Sequence, residues 1–241
     1  MKVSVILPAA GLGTRMGREN SGTSRKQFML LEGSPILMHT IRKFLGCPSV
    51  SEIIVALRRE DTEWARALVD QERPAKPVRF VEGGDSRQAS VENALASLGA
   101  ADANHLVAVH DAVRPFIDPE LVEKVVSEAA KTGAAILGIV PVDTVKRVHK
   151  NKIRDTLPRE NLVLAQTPQV FRLDLLKRAF ASARRDTFTG TDEASLVERL
   201  DEVEVSVVQG SDRNIKITRP GDMELARLFI SEHKAGEKAA S

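Results

Sequence analysis

The chain opens on a short apolar run, Val3-Ser4-Val5-Ile6-Leu7. Val3, Val5, Ile6 and Leu7 form a short, largely β-branched stretch closed by Pro8 and Gly11. A run of that length, ended by breakers, predicts a buried strand over residues 3–7. The period then changes. Ile36, Leu37, Thr40, Ile41 and Phe44 recur at helical spacing, with Ser34 as the cap and Pro35 in the first turn. That predicts a helix over 35–45. The alternation repeats, with strands predicted at 52–57, 78–81, 105–110 and 134–140 and helices at 61–69, 86–98 and 119–131. Strands alternating with helices give parallel βαβ units with right-handed crossovers. Continuous apolar runs fit a sheet covered on both faces. The fold class expected is therefore α/β, with a mostly parallel sheet.

After Val142 the pattern becomes alternating and polar. Val145, Arg147 and His149, then Asn151 and Ile153, predict an exposed hairpin over 143–155 turning at Lys150-Asn151. It is too polar to build a second core, so it reads as a β-arm, at about 142–160, that projects from the domain and pairs with another copy. Helices follow at 173–183 and 192–200, a last strand at 203–208 and a last helix at 220–231. The small, polar tail 233–241 is expected to fray. No repeat and no long linker divides residues 1–232, which read as one domain.

Composition refines this picture and charge sharpens it. In 241 residues, 42% are apolar and 28% charged, a globular balance. A single cysteine, Cys47, excludes a disulfide framework and a multi-Cys zinc site, and fits a reducing cytoplasm. The net charge of +2 argues against a protein that coats nucleic acid. No apolar run approaches the roughly 20 residues of a membrane helix. Lys2 and the apolar run after it imitate a secretion signal only as far as Pro8, and Arg15 follows soon after. Between Gly11 and Gln27 stand Arg15, Arg18, Arg25 and Lys26 against Glu19 alone, so the chain's positive surplus is concentrated there.

That segment begins Pro8-Ala9-Ala10-Gly11-Leu12-Gly13-Thr14-Arg15-Met16. Tiny residues after a strand let backbone N–H groups approach a phosphate or a base. The same residues suit an ordinary strand-to-helix turn. A dinucleotide fingerprint fails because Gly17 comes one place late, and a Walker loop fails because no Gly-Lys-Ser/Thr follows. Four cations on a loop after a parallel strand suit a polyphosphate or a solvated surface. Gly83-Gly84-Asp85-Ser86-Arg87-Gln88-Ala89-Ser90 is a second close-approach turn, with Asp85 or Ser86 as helix cap and Ser90 in reach of a ligand, or a capped turn and nothing more. His110-Asp111-Ala112-Val113-Arg114-Pro115 puts a carboxylate at the carboxyl end of an apolar strand, where open α/β sheets bind ligands. Asp111 there suits a divalent cation between protein and phosphates, or a salt bridge to Arg114. Gln209-Gly210-Ser211-Asp212-Arg213-Asn214-Ile215-Lys216 adds a second carboxylate and cation, or a turn leading to an edge strand. His39, His105, His110 and His149 are accounted for by packing or by surface positions.

In this order, and with Arg25-Lys26-Gln27, Gln166-Thr167-Pro168-Gln169 and Asn214-Ile215-Lys216-Ile217-Thr218, these segments resemble the 2-C-methyl-D-erythritol 4-phosphate cytidylyltransferases. The resemblance runs to about Ile230. It implies a Rossmann-like, three-layer domain, a homodimer joined by the β-arm, CTP and a sugar-alcohol phosphate as partners, Mg²⁺ or another divalent cation as cofactor, and no nucleic acid or membrane. It implies Arg15 and Lys26 as the catalytic pair at the α-phosphate. Ala9, Ala10, Gly11, Gly13, Gly84, Asp85 and Ser90 would hold the nucleoside, the two alanines leaving no room for a purine. Asp111 would bind the metal. Arg114, Thr144, Thr167, Thr191 and Lys216 would serve the second substrate, and Arg159 would reach it in the partner's site. One departure stands out. The family often places an aspartate directly before Asn-Ile-Lys as a second metal ligand, but here Arg213 occupies that place and Asp212 lies one step earlier. In a strand, one step turns a side chain to the opposite face, which leaves Asp111 as the firm ligand.

The reaction implied is in-line attack by the phosphate of methylerythritol phosphate on the α-phosphorus of CTP, with pyrophosphate leaving and no covalent enzyme intermediate. Ribitol-5-phosphate cytidylyltransferase shares the His-Asp-Ala-Val-Arg-Pro and Asn-Ile-Lys segments and is the nearest alternative. That family tends to carry Gly-Gly in place of Ala9-Ala10 and lacks a clear match to Asp143-Thr144-Val145-Lys146. A non-catalytic nucleotide sensor is the alternative from another class.

Overall fold

The computed structural model describes residues 2–11, 25–100 and 105–240, with side chains to residue 232. In chain order the elements are β1 (Lys2–Pro8), β2 (Leu30–Leu31), β3 (Ser34–Pro35), α1 (Ile36–Leu45), β4 (Val50–Leu57), α2 (Arg59–Glu72), β5 (Val78–Glu82), α3 (Arg87–Ala96), β6 (His105–Val109) and α4 (Pro119–Thr132). There follow β7 (Ala134–Ile139), β8 (Val145–His149), β9 (Lys152–Leu157), β10 (Leu164–Arg172), α5 (Leu173–Arg185), α6 (Glu193–Glu198), β11 (Ser206–Gln209) and α7 (Pro220–Ala240).

Seven strands form one sheet in the order β11-β7-β10-β6-β1-β4-β5. Side chains alternate across each strand, and β1 shows how this builds the layers. Val3, Val5 and Leu7 face the core shared with α1, α2 and α4, through residues such as Ile41, Val69 and Val125. Ile6 faces the opposite core, with Val91 of α3, Leu176 of α5 and Val197 of α6. The result is the three-layer α/β fold expected from the continuous apolar runs.

Four features differ from the sequence pattern. First, β10 was not predicted. It runs antiparallel to both β6 and β7 and splits what would otherwise be a parallel sheet. Its polar Gln166, Thr167 and Gln169 hide the apolar signal. Pro168 falls where the register with β7 shifts, so its missing N–H costs no regular ladder bond there. Second, the last strand is short, because Val203 and Val205 pack against the α5–α6 core instead of extending β11. Third, Ser34 does not cap α1: Pro35 stands at the cap position and Ser34 pairs with Leu31. Fourth, α7 continues to Ala240 through the segment expected to fray.

The arm is present as β8 and β9, a separate two-stranded antiparallel sheet. Its turn falls at Lys150 (φ 48°) and Asn151 (φ 60°), the left-handed pair that a tight hairpin turn demands. Among the described residues no helix is long and apolar enough to cross a membrane.

Candidate active site

Neighbouring parallel strands β6, β1, β4 and β5 send their carboxyl ends to one edge of the sheet. The connections after them converge there. Pro8 ends β1 and Ala9 to Gly11 follow it, Arg58 follows β4, Gly84 to Arg87 follow β5, and Asp111 to Val113 follow β6. With Lys26, Gln27, Ser90 and Lys216 they line a cleft of about 330 Å³. That is the place at which open α/β sheets take ligands.

Each wall is held from behind. Ala9 N–H donates to the Ala56 carbonyl at 2.8 Å. Gln27 Nε2 donates to the Ala9 and Gly11 carbonyls at 2.6 and 3.2 Å, and Arg58 Nε donates to the Ala10 carbonyl at 3.1 Å. These bonds occupy the carbonyls of the small-residue loop and fix its backbone at the cleft wall. Across from it, Ser86 caps α3 by accepting from Ala89 N–H at 3.0 Å. Ser90 Oγ accepts from Gly84 N–H at 3.1 Å and donates to the Ser86 carbonyl at 2.8 Å, so one hydroxyl both lines the cleft and ties down the glycine turn. Gly83 is required by packing: a Cβ there would lie 2.4 Å from the Ala10 Cβ.

Asp111 is the electrostatic centre of the site. It is 6% exposed, and three cations reach it. Arg87 Nε lies 3.0 Å from Oδ1, while Lys216 Nζ at 2.8 Å and Arg114 Nε at 3.4 Å share Oδ2. Burial pushes the Asp111 carboxyl upward, but these charges outweigh it and hold the group well below the usual carboxylate range. The salt bridge to Arg114, one of the two readings of this motif, is present and is part of a larger network. Thr167 is buried behind Asp111, where its Oγ1 accepts from Asp111 N–H at 3.1 Å. Arg87 also grips Glu193, with Nη1 to Oε1 at 2.7 Å and Nη2 to Oε2 at 2.9 Å.

A second cavity of about 630 Å³ shares Lys216 with the first and is lined by Arg114, Gln166, Asp212, Asn214 and Arg219, among others. Asp212 thus opens on a different cavity from Asp111. The segment around it is a turn, not a strand, so face alternation does not govern where it points. Among the described residues no three His, Cys, Asp or Glu side chains gather to hold a metal ion. The first cleft offers the carboxylates of Asp111 and Asp85. That donor set fits Mg²⁺, which takes one or two carboxylates and completes its shell with substrate phosphates and water.

The structure brings together Ala9, Ala10, Gly11, Lys26, Gly84, Asp85, Ser90, Asp111 and Lys216 at the first cleft, and Arg114 at the second. Arg15 and Gly13 lie outside the described residues. Of the basic loop's cations, Arg25 is ion-paired with Asp61, and its guanidinium also lies 5.8 Å from the Phe28 ring. Thr144, Arg159 and Thr191 are exposed and line neither cavity, and Arg159 donates to the Val142 carbonyl. Three residues were missed. Arg58 was legible from its place after a strand. Arg87 stands in the Gly83–Ser90 turn, where nothing local gives it a task. Glu193 had no local signal at all, because its partner lies 106 positions away.

The family model described as IspD: 2-C-methyl-D-erythritol 4-phosphate cytidylyltransferase matches residues 3–232. Proteins carrying that name from Solibacter usitatus and Acidobacterium capsulatum are 67% and 50% identical to the chain; the alignments cover 98% of it in both cases, and 98% and 100% of those proteins. Among solved structures, the Francisella tularensis enzyme of that name superposes with a TM-score of 0.78 at 33% identity, covering 95% of this chain and 99% of that one. The 4-diphosphocytidyl-2C-methyl-D-erythritol synthase of Anaerococcus prevotii superposes with a TM-score of 0.83 at 28% identity, covering 95% and 96%. On the family match over residues 3–232 and these identities over nearly the full chain, the chain belongs to the IspD family of 2-C-methyl-D-erythritol 4-phosphate cytidylyltransferases.

Proposed function

We propose that the chain transfers CMP from CTP to 2-C-methyl-D-erythritol 4-phosphate, giving 4-diphosphocytidyl-2-C-methyl-D-erythritol and pyrophosphate. One observation carries this reading beside family membership. The small-residue loop, Lys26, Asp111 and Lys216 converge on one cleft, and a second, cation-lined cavity joins it at Lys216.

The nucleoside lies between Ala9–Gly11 and the Gly84–Ser90 turn, where the closeness of Ala10 to Gly83 leaves little width for a larger base. Lys26 and Arg15 meet the triphosphate. The acceptor's phosphate enters the second cavity, between Arg114 and Lys216. Its oxygen attacks the α-phosphorus in line, the bond from that phosphorus to the bridging oxygen breaks, and pyrophosphate leaves with the bonding electrons. No nucleophilic side chain is needed, so the residues bind, align and neutralise charge. Asp111 is the group suited to hold Mg²⁺, which would supply further neutralisation of the triphosphate.

The arm supports a homodimer. Val148 and Ile153 on it are 55% and 65% exposed, and Val142 at its base is 81% exposed. Thr144 and Arg159 line neither of the two cavities described above, so we assign them to the acceptor in the site of a second copy. The test is pyrophosphate release from CTP with magnesium, offering methylerythritol phosphate, ribitol 5-phosphate or no acceptor. Release that depends on methylerythritol phosphate supports the proposal. Release with ribitol 5-phosphate alone would reassign the acceptor, and tight CTP binding without release would make the chain a sensor.

A further inference from the structure

Glu193 is 1% exposed and sits in the first turn of α6. A carboxylate that deep is costly unless it is paired. Its partner is Arg87, whose two terminal nitrogens are used on Glu193 while Nε remains for Asp111 Oδ1 at 3.0 Å. A guanidinium presents donors in two directions from one plane, which an ammonium cannot do.

Both ends of this bridge are anchored. Asp192, the cap of α6, accepts from Gln169 Nε2 at 2.7 Å, and Ala194 N–H donates to Gln169 Oε1 at 3.0 Å. This fastens the start of α6 to β10, two residues beyond Thr167. On the other side, Gln88 donates to the Phe188 carbonyl at 3.2 Å and accepts from Gly190 N–H at 3.0 Å. Lys216 and Arg114 both pull on Asp111 Oδ2, so Arg87 supplies the opposing hold on Oδ1 that sets the carboxylate's rotation.

We propose that Glu193 is a positioning residue for the transfer step: acting through Arg87, it fixes the orientation of the Asp111 carboxylate toward the cleft without touching either substrate. The proposal rests on the cytidylyltransferase reading above. A purely structural role, tying α3 to α6, would change stability and leave the kinetics of the folded protein alone.

The experiment compares Glu193→Gln, Glu193→Asp, Arg87→Lys and the double variant Glu193→Gln/Arg87→Lys in the full chain. It reads kcat, the KM for CTP, the thermal midpoint, and the affinity for CTP in the presence and absence of Mn²⁺ by calorimetry. In folded Glu193→Gln we expect kcat to fall about 10–100-fold, the size typical of losing a group that orients a metal ligand. The KM for CTP should move less than about threefold, since the nucleoside contacts remain. The gain in CTP affinity that Mn²⁺ brings should shrink, and Glu193→Asp should restore part of both losses. The double variant should be no worse than Arg87→Lys alone, because both changes break one chain of contacts. Wild-type kcat and Mn²⁺ response in folded Glu193→Gln would overturn the proposal, as would additive losses in the double variant. If Glu193→Gln does not fold, Glu193→Asp and Arg87→Lys decide, and wild-type behaviour in both overturns it. A wild-type chain that releases no pyrophosphate would sink the transferase reading alone, and the Mn²⁺-linked CTP affinity would still decide the role of Glu193.

Discussion

Lys26 is 7% exposed and lines the cleft from a short turn held by Phe28, whose ring packs edge-on against Trp64 at 4.9 Å. If the proposed triphosphate lies there, a cation held that firmly is already in place when charge develops. Lys26→Ala should lose about 10²–10³ in turnover, the usual worth of one preorganised donor, while its circular dichroism stays native. Near-native turnover would remove Lys26 from the mechanism. His110 predicts a different behaviour. Its Nε2 lies 3.0 Å from the Arg114 carbonyl and its Nδ1 lies 3.2 Å from Thr167 Oγ1, an arrangement that a neutral ring satisfies. Complete burial pushes its pKa down from 6.5 to about 4. As pH falls, the unfolded chain therefore takes up this proton first. The stabilisation is present above pH 6.5 and is lost as pH drops toward 4, by roughly 3 kcal/mol at most. Denaturant titrations without divalent cation should show that slope in the wild type and a shallower one in His110→Gln.

Gly83 couples two elements. It follows β5, and a side chain there would meet the Ala10 Cβ at 2.4 Å and Ser90 Oγ at 3.1 Å. Gly83→Ala must push the loop after β1 away from α3. It should cost about 1–3 kcal/mol of stability and raise the KM for CTP, because the displaced loop is a wall of the cleft. An unchanged KM would mean that the loop yields without reshaping the site. At this level β1, β4, β6 and β7 were readable as strands because each buries both faces and so shows a mostly apolar run. β10 was not readable, since Gln166, Thr167 and Gln169 are buried by long-range hydrogen bonds that local hydropathy does not record. The cradle residues from Ala9 to Gly11 and from Gly84 to Ser90 were readable for a related reason: tiny residues and a helix cap are local signals placed just after predicted strands.

The arm bears on the proposed pairing of two copies. If Arg159 serves the site of a second copy, Arg159→Ala and Lys26→Ala homodimers should each be impaired. Mixing and re-equilibrating them should recover activity, because a mixed dimer contains one site with an intact Lys26 and an intact Arg159. No recovery, or a monomer mass by light scattering at micromolar concentration, would end the shared-site reading.

Near neighbours in the chain settled the alternation of strands and helices, the turn at Lys150-Asn151, a helix cap at Asp85 or Ser86 and the placing of Asp111 at a strand's end; the structure then chose Ser86 and the left-handed form of the turn. Those features follow from hydrophobic period and turn chemistry, which act over a few residues. Long-range folding settled the rest: β10 inserted antiparallel beside β6, Arg25 committed to Asp61 and not to the cleft, Asp212 opening on a separate cavity, and Arg87 bridging Asp111 to Glu193. Buried charges have to find opposite charges wherever the chain brings them together. For Arg87 the two partners lie 24 and 106 positions away, beyond the reach of any local pattern.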